Sequence, residues 1–100
     1  MEKKQSLKPL YLTQKLLRIR QAMGLSQNEI ITHLGLGANL TRSRISEYEA
    51  GYGPPLVVLL RYARLANVLV EVLIDDELDL PAQLPSPQTS AGVKRKREQG

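Results

Sequence analysis

A chain of 100 residues with no cysteine and a net charge of +4 has room for one domain with a modest core, and it offers neither a disulfide framework nor a thiolate metal site. No apolar run approaches the roughly 18–20 residues of a membrane span, and the lysine-rich start is not followed by an apolar signal segment, so a cytoplasmic chain with no membrane partner is expected. Charge is uneven, because positions 3–64 hold ten Lys and Arg against three Glu while positions 71–79 hold five acids and no base; on charge alone a polyanionic partner is only slightly favoured over a solubilising surface.

Positions 1–9 are polar and basic, with Pro9 just before the first periodic segment, and read as a flexible arm. Leu12, Leu16, Ile19 and Met23 then recur at helical spacing and predict a first helix with one buried stripe, stopped by Gly24. Ser26 and Glu29 have the spacing of a capping box, and Ile30, Ile31 and Leu34 form the inward face of a short second helix that ends at Gly35. The stretch 35–40 cannot continue that helix comfortably. Thr41 is a good cap for a third, from about 42 to 50, which Gly51 terminates. Within it Ile45 and Tyr48 face the core, whereas Arg42, Ser43, Ser46 and Glu47 share the opposite face.

Pro54 and Pro55 open a fourth helix running to about Ala66, with Leu56, Leu59, Leu60, Ala63 and Ala66 inward and Arg61 and Arg64 outward. A short fifth helix at 70–74 takes Val68, Leu73 and Ile74 into the core. That leaves Leu69, Val70 and Val72 as an apolar surplus and a candidate partner surface. The folded domain is therefore placed at 10–80. Positions 81–100 contain prolines, end in Lys94-Arg95-Lys96-Arg97 and have little to bury, which predicts a disordered tail; its basic cluster suits a solvated end and a phosphate-tracking role equally.

Convergent catalytic groups are not evident: there is one histidine, His33, best read as a surface or capping residue, and the acids lie in one run. Asp75, Asp76, Glu77 and Asp79 lack the glycine and spacing of a calcium loop, and Gly35-Leu36-Gly37 lacks both the third glycine of a dinucleotide fingerprint and the lysine of a phosphate loop. Neither an enzyme nor a metal or cofactor site is expected.

At Leu25-Ser26-Gln27, Ile45-Ser46, Glu49-Ala50-Gly51 and Pro55, in that order and spacing, the chain resembles the Cro and phage-repressor (XRE) family of helix-turn-helix proteins over about residues 10–76. The resemblance implies an all-α, five-helix lambda-repressor-like bundle whose third helix enters the major groove of double-stranded DNA. It implies that Gln27 and Thr41 sit where phosphate is met, that Arg42, Ser43 and Glu47 read base edges, that Ser46 reaches base or phosphate, and that Arg44 contacts backbone. It further implies a partly buried pair between Arg20 and Glu49 that ties the first helix to the recognition helix. Three features depart from the family pattern: the stretch from Gln27 to Ile45 is several residues longer, Glu47 brings a negative charge to the reading face, and Tyr52-Gly53 stands where the loop is often basic.

On this reading the chain is expected to be a nucleoid-associated transcriptional repressor acting as a homodimer, with Leu69, Val70 and Val72 at the dimer interface. The alternatives are an antitoxin or other module that binds a protein partner, with DNA binding secondary, and a helical scaffold without DNA.

Overall fold

The computed structural model describes residues 8–85, which form five helices and, within that span, no strand. The helices are α1 (Leu12–Ala22), α2 (Gln27–Leu34), α3 (Arg42–Glu49), α4 (Leu56–Ala66) and α5 (Val70–Ile74). Most of the basic arm (1–7) and of the proline-containing tail (86–100), including Lys94 to Arg97, lies outside the described residues.

The stripe on α1 is buried as its spacing predicts, Leu12, Leu16, Ile19 and Met23 all lying in the core. Lys15 falls on the same face, three residues after Leu12 and four before Ile19, and is only 5% exposed. Its ammonium donates to the carbonyls of Val72 (2.7 Å), Asp75 (3.0 Å) and Leu78 (2.7 Å), at the end of α5 and in the turn beyond it. A helix end leaves such carbonyls without partners, and a cation there also suits the helix dipole. In return, Asp76 serves the opposite terminus. No side chain caps α1 from within, and the Asp76 carboxylate accepts from the amides of Leu10 (2.9 Å) and Tyr11 (3.1 Å) just ahead of it. Part of the acidic run seen in the sequence thus works as a distant cap, and Lys15 with Asp76 clasps the end of α5 to the start of α1.

Ser26 and Glu29 make both halves of the capping box that opens α2, Ser26 Oγ accepting from the Glu29 amide and Glu29 Oε1 accepting from the Ser26 amide. Gly35 ends the helix at φ +74°, and an added Cβ would lie 2.8 Å from Arg61 Nη1. Arg61 occupies that space because it folds back to donate to the Leu34 carbonyl at 3.1 Å, so it is half-buried instead of outward as the sequence suggests. The turn at 36–40 tucks Leu36 and Leu40 against the core, and Thr41 caps α3 by accepting from the Arg44 amide at 3.3 Å.

In α4 the buried face is rotated from the one expected. Val58, Leu59, Tyr62, Ala63, Leu65 and Ala66 are buried, Leu60 lies at the margin and Leu56 is 81% exposed. Every position of α4 except Arg61 and Arg64 is apolar, so helical periodicity supports two stripes, and the one that faces inward carries Tyr62, the largest fully buried side chain. Asn67 then closes the helix in the left-handed conformation. Leu73 enters the core as expected, but Ile74 is exposed and Val68 only partly buried.

Burial pushes the Tyr62 phenol far above its ordinary range, the Glu49 carboxylate adding to the effect, and the hydroxyl has no hydrogen-bond partner among the described residues. Removing a buried hydroxyl that pairs with nothing relieves a desolvation cost, so Tyr62→Phe should raise stability by about 1 kcal/mol. In a domain of this size that corresponds to a melting temperature higher by roughly 4–8 °C. A lower melting temperature would show that the hydroxyl is engaged.

Candidate nucleic-acid interface

Helix α3 is anchored by two residues three apart, Ile45 and Tyr48, which are buried where it packs on α1 and α2. Thr41, Arg42, Ser43, Arg44, Ser46 and Glu47 are all exposed. The helix therefore presents a polar outer face on a short apolar anchor, which is the local arrangement a groove-reading helix requires. Its first turn contains no acid, so its amide-rich end repels no phosphate with a side chain of its own.

Arg20 and Glu49 meet as a two-pronged ion pair. Arg20 Nε donates to Glu49 Oε2 at 2.7 Å and Nη2 to Oε1 at 3.0 Å, while Nη1 donates to the Leu25 carbonyl at 2.9 Å. Side-chain exposure is 17% for Arg20 and 8% for Glu49, so the pair is largely desolvated, and hydrogen bonding to Glu49 raises the arginine pKa against the lowering effect of burial. The pair joins α1 to the last turn of α3 and fixes where the exposed face points.

Gln27, half-buried at the first position of α2, is placed by the structure between that pair and Arg42. Its Nε2 donates to Glu49 Oε1 at 3.0 Å, and its Oε1 accepts from Arg42 Nε at 3.3 Å. Sequence reasoning brings Gln27 and Arg42 to one surface but does not foresee that they touch, because the turn between them has no periodicity from which to compute a distance. Arg44 and Glu47, one turn apart on the exposed face, form an ion pair at 3.1 Å. An exposed pair of this kind contributes little to stability, but it sets a cation beside the carboxylate that interrupts the basic face.

The turn at 36–40 and the loop around Tyr52 flank an open groove of about 900 Å³, lined by Leu36, Leu40, Tyr48, Tyr52 and Val57 among others. Leu69 is 69% exposed, whereas Val70 and Val72 are partly buried against the core. His33 is exposed, its Nδ1 3.0 Å from the Glu29 carbonyl within its own helix. Among the described residues, no group of three or more His, Cys, Asp or Glu could hold a metal ion, and no helix is long and apolar enough to cross a membrane.

No curated protein and no solved structure matches the chain. A family model described as helix-turn-helix matches residues 16–73, more than half of the sequence, and runs from within α1 through most of α5. With α2 and α3 arranged as the two halves of the motif and α3 bearing the exposed polar face, the chain belongs to the Cro/C1-type (XRE) helix-turn-helix family of DNA-binding transcription regulators.

Proposed function

We propose that the chain recognises a specific operator as a homodimer and represses transcription by occluding it. The observation that carries this reading is the face of α3, where Arg42, Ser43, Ser46 and Glu47 stand in solvent on a helix held by Ile45, Tyr48 and the Arg20–Glu49 pair. Arg42 suits a guanine edge, and Glu47 can accept from a cytosine amine, with Arg44 at its side to offset its repulsion of phosphate. Thr41, at the start of the helix, and the outward amide hydrogen of Gln27 meet backbone phosphate.

One module of this size buries only about 600–1,000 Å² on DNA, so a second copy is needed to multiply affinity. The dimer surface proposed is the apolar surplus at Leu69, Val70 and Val72. Leu69→Lys is the cleanest probe, because Val70 and Val72 also pack against the core. It should shift the chain to monomer in sedimentation and weaken binding to a two-half-site duplex; an unchanged oligomeric state would remove this surface from the account.

Fluorescence anisotropy tests the reading residue. Arg42→Ala should reduce discrimination at one base pair by about 1–3 kcal/mol while leaving affinity for random duplex largely unchanged. Equal losses on preferred and random DNA would contradict a base-reading role for Arg42.

A further inference from the structure

We infer that Glu49, which lies on the inner side of α3 away from the exposed reading face, sets through the amide of Gln27 how Arg42 is presented to a base. This inference rests on the reading role proposed for Arg42. Both carboxylate oxygens of Glu49 accept from the Arg20 guanidinium, so neither offers a donor to Gln27. Gln27 must therefore turn its Nε2 toward Glu49, since the opposite flip would place an amide oxygen against a carboxylate oxygen. The amide is planar, so its oxygen then faces the other way, where it needs a donor. Arg42 supplies one through Nε at 3.3 Å. The charge of Glu49 thus propagates through Gln27 to a base-reading arginine one helix away.

The atom used matters. With Nε engaged by Gln27, Arg42 keeps both terminal Nη groups available, the edge that can bond the O6 and N7 of guanine in a two-pronged contact. An exposed arginine otherwise samples many rotamers and loses that freedom on binding; one already biased by a partner loses less. At 3.3 Å the bond is long, so it biases the side chain instead of freezing it. Gln27 is accordingly a positioning residue as well as a proposed phosphate contact, and the two roles have different signatures: losing the phosphate contact weakens every sequence alike, whereas losing the positioning changes the preference at one base pair.

The test compares Gln27→Met, Arg42→Ala and the double variant, each in the full chain, on the duplex preferred by the unsubstituted protein and on duplexes with the guanine facing Arg42 replaced. Methionine keeps the bulk of glutamine and leaves the Arg20–Glu49 pair whole. A two-pronged arginine contact discriminates by roughly fivefold to 150-fold, and Gln27→Met should lose a substantial part of that factor at this base pair and at no other. In the Arg42→Ala background, Gln27→Met should change base preference no further. Glu49→Gln, measured below its melting transition, frees the Gln27 amide to flip and should relax the same base pair. Uniform weakening on all duplexes by Gln27→Met, with the preference for guanine intact, overturns the inference while leaving the proposed function standing. Absence of any base preference in the unsubstituted protein overturns both.

Discussion

Glu49→Ala should lower the stability of the domain by about 3–5 kcal/mol, the cost of removing one partner from a buried ion pair. The loss is large because Arg20 stays behind. Its guanidinium is mostly shielded and would keep one hydrogen bond, to the Leu25 carbonyl, while two donors aimed at Glu49 and one from Gln27 lose their acceptor. Domains are stable by only about 5–15 kcal/mol, so the substitution removes a large share of the total. In urea the unfolding midpoint should fall with little change in slope, because the same surface is exposed on unfolding. Replacing both residues together, as Arg20→Leu with Glu49→Leu, should cost less than Glu49→Ala alone, since no charge is then left buried without a partner. If the double variant were the less stable, the pair would be a net source of stability and the argument from a stranded charge would fail.

Lys15→Met should cost about 2–4 kcal/mol, the second-largest effect expected, through lost charge-assisted hydrogen bonds and carbonyls left without donors. Methionine fits the aliphatic path of the lysine stem, so the packing of α1 is disturbed little and the change isolates the ammonium. The three carbonyls it serves belong to Val72, Asp75 and Leu78, so the loss should be felt first at the end of α5. Hydrogen exchange should therefore speed up in the amides of α5 and of the following turn before it does so in α2 or α3. A loss below about 0.5 kcal/mol would show that water replaces the ammonium at those carbonyls, as it does at ordinary surface positions.

Much of the fold is legible in the sequence because it is written locally. The stripe on α1, the capping box at Ser26 and Glu29, the threonine cap of α3 and the glycine stop at Gly35 depend on neighbours a few residues apart. What is not legible depends on distant pairing. The apolar character of α4 leaves its inward face undecided until the bundle forms, which is why Leu56 is exposed and Tyr62 buried. Lys15 does carry a signal, since a charge on the buried stripe of α1 requires a partner, but that partner is a set of backbone carbonyls about sixty residues away and no side-chain pattern marks it. The same holds for Asp76, whose role as a cap shows only when Leu10 and Tyr11 are brought to it.

At the reading face the exposure of Arg42, Ser43, Ser46 and Glu47 follows from the positions of Ile45 and Tyr48, which any helix of that sequence would impose. The contact of Gln27 with both Glu49 and Arg42 does not follow, because it depends on the path of the turn at 36–40, which no periodic pattern fixes.

The most direct test of the central claim is selection of bound duplexes from a random DNA library, using the purified full-length chain at moderate salt, followed by sequencing. An enriched inverted repeat is expected, its half-sites about 10 base pairs apart or a multiple of that, as two recognition helices on one face of the duplex require. Each half-site should contain a guanine whose preference is lost in Arg42→Ala. A folded protein that enriches no sequence would contradict sequence-specific repression by this chain.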